Sequence, residues 1–416
     1  MEEPTVPKPT FNELNLKPEV LAALEKNGYK HPTEVQKEAI PPILQGHDVI
    51  ALAKTGSGKT AACAIPVSNE VNIELAHVQA LVIVPTRELA LQYAVEAQKI
   101  GSVRGVKTFA MYGGEDASIQ RAKLVNGVHV LVSTPGRLID FIYSRDVDLS
   151  HVKILILDEA DEMLSMGFID DLDFIMGCLV NKHQTCLFSA TMPAPIKKIA
   201  ERFMVSPITI KPSPEDQTPS KIDKHFVYLE HGDRDDKMVE LLKSMNPKQA
   251  MIFCHSRIQV EKVCQALKRK LEQVDYLHAG LTQDVRTIIT NKFRSGKVKY
   301  LVATDVAARG LDFSNVTHVF IYELSDDPDV FIHRSGRTGR IGREGTVVTF
   351  VTKRELWILR KILAQLNEEA QWIGEPPPAG HHGTRPHVAL GARGRTGLCR
   401  SQRMALCVAA DAGAVA

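Results

Sequence analysis

"KILILDEADEM", residues 153–163, runs four consecutive aliphatic residues straight into a cluster of carboxylates. An apolar run with no polar alternation reads as a strand covered on both faces, so the charge falls at its carboxyl end. Similar runs recur with helix-length spacers: "DVIALA" (48–53), "ALVIVPT" (80–86), "VHVLVSTP" (128–135) and "TCLFSAT" (185–191). A second series follows, with "AMIFCHS" (250–256), "VDYLHAG" (274–280), "KYLVATD" (299–305), "VTHVFIYEL" (316–324) and "GTVVTFVT" (345–352). The pattern predicts an α/β fold of two tandem, doubly wound parallel-sheet domains. Ligands of such sheets sit outside the carboxyl ends of the strands.

The 416 residues suit two domains of ordinary size, and 44% apolar with 24% charged residues describes a globular chain. No uninterrupted apolar run reaches membrane-spanning length, and "MEEPTVPKPT" is acidic and proline-rich where a signal peptide needs a basic and then an apolar stretch. A cytoplasmic protein with no membrane partner is the expectation. The seven cysteines never approach C-x-x-C spacing, which speaks against a zinc ribbon or a disulfide scaffold and for small core residues. "KPSPEDQTPSK" (211–221) reads as an extended linker between a first domain, 1–210, and a second, 222–375. Beyond it, 376–416 holds five Arg, no Lys and no amphipathic period, and reads as a disordered tail.

"AKTGSGKT" (53–60) lies between an apolar strand and a helix-like segment. Such a turn, through Thr55, Gly56, Ser57 and Gly58, points backbone N–H groups at a phosphate. Lys59 then reaches the outer phosphates and Thr60 ligates Mg²⁺. The carboxylates after the strand gain a purpose beside it: Asp158 is the candidate metal ligand and Glu159 the candidate base for an attacking water. The alternative, that carboxylates after a strand cap a helix, is the weaker reading once the phosphate loop stands beside them. Asp161 could tie the cleft together, and Glu162 reads as a solvated helix residue. "HRSGRTGR" (333–340) offers positive charge from the other half. Arg337 and Arg340 are spaced to converge on one phosphate, while Arg334 reads equally as a structural ion-pair residue.

Residues 11–375 resemble the DEAD-box RNA helicases, a family with two RecA-like domains. The resemblance is carried in order by Phe11, "GYKHPTEVQ" (28–36), "AKTGSGKT", "PTRELA" (85–90), "GG" (113–114), "TPGR" (134–137), "DEAD" (158–161), "SAT" (189–191), "FCHS" (253–256), "QDVR" (283–286), "ATDVAARGLD" (303–312) and "HRSGRTGR". It implies ATP and Mg²⁺ as cofactors. Gln36 would read adenine and Phe11 stack on it, with Thr33 in the same element, and Gly310 and Asp312 would lie against the nucleotide. Ser189, Thr191 and His333 would join hydrolysis to RNA contact. RNA would lie along Thr86, Arg87, Gly114, Thr134, Gly136 and Arg137 of the first domain and Ser256, Arg257, Arg286 and Thr304 of the second. Contacts of this kind go to phosphates and riboses, so binding is expected to tolerate any sequence and to separate RNA from DNA through the 2′-OH.

The resemblance implies an ATP-dependent helicase that binds single strands and locally unwinds short RNA duplexes. One rival is an ATP-dependent RNA clamp that serves as an assembly platform, and another is a DNA translocase. The sequence departs from the family's usual residues at Tyr29, in "YELS" (322–325) and at Ser335. It names no RNA substrate and no protein partner.

Overall fold

The computed structural model describes residues 9–53, 56–211, 222–230, 234–308, 313, 315–339 and 344–378. Thr55, Gly310, Asp312 and Arg340 lie outside the described residues, as do 212–221 of the expected linker and all but the first three residues of the expected tail.

Seven strands form the first sheet: β1 (Val49–Leu52), β2 (Ala80–Ile83), β3 (Thr108–Met111), β4 (Val130–Ser133), β5 (Ile154–Asp158), β6 (Gln184–Ser189) and β7 (Ile208–Ile210). Their spatial order is β3-β4-β2-β5-β6-β1-β7, every pair parallel. The second sheet holds β8 (Ile222–Leu229), β9 (Ala250–Phe253), β10 (Val274–Leu277), β11 (Tyr300–Ala303), β12 (His318–Ile321), β13 (Gly345–Thr352) and β14 (Gln371–Trp372), ordered β10-β11-β9-β12-β13-β8-β14 and again parallel.

The expected two-sided burial is visible in β5. Side chains alternate across a strand, so Ile154 and Ile156 enter the core on one face of the sheet and Leu155 and Leu157 the core on the other. In β9, Met251 and Phe253 divide from Ala250 and Ile252 in the same way. Four strands escaped the sequence reading: β3, β7, β8 and β14. They lie at or next to sheet edges and carry exposed or half-buried positions. The unbroken apolar signature fades where one flank of the strand is open. Cys63, Cys186, Cys254 and Cys264 are buried, unpaired core residues, as their spacing predicted. Among the described residues no helix is long and apolar enough to cross a membrane.

Register decides what meets at the strand ends. Leu52 of β1 pairs with Ser189 of β6, and Asp158 of β5 pairs with Phe188. The segments that follow β1, β5 and β6 therefore emerge level and adjacent.

Candidate functional site

The loop after β1 turns at Gly56 and Gly58, both at positive φ, and Gly58 caps the helix Lys59–Glu70. Gly58 has φ of 91°, a conformation that side chains rarely tolerate. An added Cβ would also stand 2.6 Å from Gln36 Nε2. Gln36 lies buried beneath this loop: its Nε2 donates to the Gly58 carbonyl at 3.1 Å, and its Oε1 accepts from the Thr33 amide at 3.0 Å. The Thr33 hydroxyl donates to the Ser57 carbonyl at 2.9 Å. Thr33 and Gln36 thus brace the turn through its backbone. Phe11 is 4% exposed and meets the ring of Tyr29 edge-on, while the Tyr29 hydroxyl donates to Glu96.

Lys59 is buried, yet its Nζ has no hydrogen-bond partner among the described residues, and neither do Ser57 Oγ and Glu159 Oε2. Thr60 follows, half-buried. Buried polar atoms are nearly always satisfied. Three unsatisfied ones around a helix N-terminus fit a polyanion and its attacking water. This donor set suits a nucleoside triphosphate, and Asp158 with the Thr60 hydroxyl offers the oxygen ligands that Mg²⁺ prefers.

Asp158 and Glu159 sit in a tight turn. Glu159 has φ of 54°, left-handed for a residue with a side chain, and its amide donates to Asp158 Oδ1 at 2.9 Å. Strain of this kind persists where surrounding structure over-determines it. Burial pushes the Asp158 carboxyl up to about 6, with Lys59 opposing the shift and Glu159 and Asp161 adding to it.

Asp161 gathers the other strand ends. Its amide donates to Ser189 Oγ at 3.2 Å, and its Oδ2 accepts from the Thr191 amide at 2.8 Å and hydroxyl at 3.0 Å. From the second sheet, His333 in the helix Pro328–Ser335 brings Nδ1 to 2.5 Å from Glu162 Oε1 and Nε2 to 3.7 Å from Asp161 Oδ2. Burial alone would raise the Asp161 carboxyl, but His333, Lys59 and the Thr191 amide outweigh it and hold it well below the usual carboxylate range. Burial would likewise lower His333, yet Asp161 and Glu162 hold it up at about 9. The reading of Glu162 as a solvated helix residue is therefore corrected. It is 3% exposed and paired across the two domains.

Arg334 takes the structural alternative. Its guanidinium is 2% exposed, binds Asp305 through Nε at 2.7 Å and Nη2 at 2.8 Å, and donates to the Glu323 carbonyl at 2.7 Å. The Ser335 hydroxyl donates to the Phe331 carbonyl at 2.7 Å, which satisfies a polar group at an otherwise apolar position. Arg337 is buried on the same turn.

The expected RNA residues lie on loops and helix starts of both sheets. Thr86 and Ser256 cap their helices, accepting from the amides of Leu89 and Gln259 at 3.2 Å each. Thr134 begins the helix Pro135–Tyr143, Gly136 and Arg257 are exposed, and Thr304 is buried. The Arg87 guanidinium lies 4.4 Å over the Tyr112 ring, and Arg137 Nη2 donates to the Glu115 carbonyl at 2.9 Å. A Cβ at Gly114 would stand 3.6 Å from Arg87 Nη1, so the two border the same space. Arg286 crosses between the domains, its Nη2 2.7 Å from Glu88 Oε1. The Nε atoms of Arg87, Arg137 and Arg286 are buried with no hydrogen-bond partner among the described residues. Glu88 and Glu162 are the residues that sequence reasoning missed. Glu88 lies inside "PTRELA" and Glu162 directly follows "DEAD", and nothing local distinguishes them from surface glutamates.

Residues 33–199 match the DEAD/DEAH box helicase family model, and residues 233–342 match the helicase conserved C-terminal domain. The chain is 42% identical over 367 residues to the DEAD-box ATP-dependent RNA helicase CshA of Bacillus subtilis (strain 168), which covers 88% of this chain and 74% of that protein. The chain belongs to the DEAD-box RNA helicases. Among solved structures, this family member is similar to Saccharomyces cerevisiae Dbp5 bound to RNA and ADP BeF3: TM-score 0.80, 29% identity, covering 88% of this chain and 95% of that one. A DEAD box protein from Methanococcus jannaschii is nearer in sequence, at 34% identity over 88% of this chain and 99% of its own, but scores only 0.52. Over the whole chain, the shape is nearer to the RNA-bound Dbp5 than to the Methanococcus jannaschii protein.

Proposed function

We propose that this DEAD-box protein couples ATP hydrolysis to local unwinding of short RNA duplexes, with the phosphate loop and "DEAD" turn of one domain covered by the "HRSGRTGR" segment of the other. The observation that carries this reading is the His333–Glu162 contact. It closes the two sets of strand ends around Lys59, whose buried ammonium lacks a partner among the described residues.

In this reading Ser57, Gly58 and Lys59 hold the phosphates, Gln36 reads the adenine edge with Thr33 beside it, and Phe11 stacks on the base. Thr60 and Asp158 would hold Mg²⁺, which when bound would neutralise charge on the phosphates. Glu159 takes the proton of the attacking water through its unpaired Oε2, and Arg337 offers positive charge to the phosphoryl group from across the cleft. Thr55, Gly310, Asp312 and Arg340 belong to the same proposal on their motifs alone. Asp161 joins Ser189, Thr191 and His333, so loss of the outer phosphate is felt at the domain contact. The RNA strand follows Thr86, Arg87, Gly114, Thr134, Gly136 and Arg137, then Ser256, Arg257, Arg286 and Thr304. Stacking is worth about 1.4 kcal/mol per base-pair step. One closure therefore suits melting of a few steps better than long travel. A cytoplasmic setting fits Cys63, Cys186, Cys254 and Cys264, which are buried outside any disulfide.

The test is ATPase rate with matched single strands of RNA and DNA, together with displacement of a short RNA duplex. RNA alone should stimulate, and displacement should require ATP. Equal stimulation by DNA would overturn the substrate class, and stimulation without displacement would leave a clamp.

A further inference from the structure

At the amino ends of β2 and β5, on the sheet edge opposite the phosphate loop, His77, Asp148 and His151 converge. One ligand atom from each lies within 4.8 Å of the others. The two imidazoles face each other with centroids 4.0 Å apart and planes 7° from parallel, and His151 Nδ1 is 3.4 Å from Asp148 Oδ2. We propose that these three side chains form a binding site for one divalent late transition ion of the zinc type.

The chemistry and the framework both favour it. Two imidazoles and a carboxylate are a donor set that suits zinc, nickel or copper rather than magnesium, with a fourth position left to water. With zinc–ligand bonds of about 2.0–2.2 Å, neighbouring ligand atoms in a tetrahedron stand roughly 3.3–3.6 Å apart. In the stack the ring lone pairs run side by side, so binding one ion requires the exposed His77 and His151 side chains to turn out of it toward Asp148.

That backbone is braced from within. The buried amide of Gln79 donates to the carbonyls of Asn72 at 2.7 Å and Leu75 at 3.0 Å, and its oxygen accepts from the Asn72 amide at 2.9 Å. These bonds fix the loop that carries His77. Across from it, Asn181 Nδ2 donates to the Ser150 carbonyl at 2.7 Å, and the Ser150 amide donates to Asp148 Oδ1 at 2.8 Å. These bonds hold the backbone that carries the three ligands, one part of the support a metal site needs. Lys153 and Lys182 line the adjoining hollow and oppose a cation, so the site would be of moderate affinity.

The test is calorimetric titration of the whole chain with zinc chloride, beside the single variants His77→Ala and His151→Ala and the double variant. The sequence also carries His381, His382 and seven cysteines. The result is therefore read as a difference between proteins. The expected outcome is one zinc equivalent lost in the double variant and at least a tenfold weaker site in each single variant. RNA-stimulated ATPase and the metal-free melting temperature should be unchanged. Equal stoichiometry and affinity in the chain and the double variant would overturn the proposal, as would the absence of a saturable zinc equivalent in the unaltered chain.

Discussion

His333 Nδ1, from the second domain, stands 2.5 Å from Glu162 Oε1 of the first, and this contact gives the closed arrangement a pH dependence. Closure raises His333 from its ordinary 6.5 to about 9. A raised group stabilises the closed form fully below its ordinary value and loses that contribution as pH climbs through the raised one. The full contribution is on the order of 3 kcal/mol. Asp161, held low, works oppositely and loses its share only as pH falls through the carboxylate range. The closed fraction can be read by energy transfer between fluorophores on the two domains, with an ATP analogue and RNA present. It should decline from pH 7 to about 9, and His333→Ala should flatten that decline.

Glu159→Gln keeps the size and hydrogen-bonding capacity of the side chain but removes the base. Turnover should fall by about a hundredfold or more, while affinity for a non-hydrolysable ATP analogue and for RNA is retained. Phosphate release and fluorescence anisotropy measure the two halves of this statement. Near-normal turnover would remove Glu159 from the proposed role.

Gly58→Ala should damage the phosphate loop for two separable reasons. The left-handed backbone costs about 1–2 kcal/mol for a residue with a Cβ, and that Cβ would meet Gln36 Nε2 at 2.6 Å. Nucleotide affinity should drop and the melting temperature should fall by a few degrees. Adding Gln36→Ala should recover part of the melting temperature, because only the steric component is relieved. No recovery would assign the whole effect to the backbone.

Arg286 lies 2.7 Å from Glu88, and the same guanidinium is in the proposed RNA path. Exchanging the charges, Glu88→Arg with Arg286→Glu, separates the two roles. If the pairing between domains dominates, each single variant should lose RNA-stimulated ATPase and the double variant should regain most of it. If contact with RNA dominates, the double variant should remain as weak as Arg286→Glu.

Much of this protein was legible in its letters. The aliphatic runs of β1, β2, β4, β5 and β6 and of β9 to β13 announced two buried parallel sheets, because a strand covered on both faces is built mostly from apolar residues. "AKTGSGKT" and "DEAD" were legible because a phosphate loop and a strand-end carboxylate are built within a few residues of chain. What the tertiary structure alone decided is which long side chains meet. Glu162 reads as an ordinary helix glutamate until His333 arrives from the other domain, and only the folded chain shows that Arg286 meets Glu88 across the domains and that Gln36 braces the loop at Gly58. His77 and His151 are likewise unremarkable letters that only the sheet brings face to face. Strand burial and loop shape are local consequences of covalent geometry and hydrophobicity. Pairing of charged and amide groups depends on register and on the setting of one sheet against the other, which no short stretch of sequence encodes.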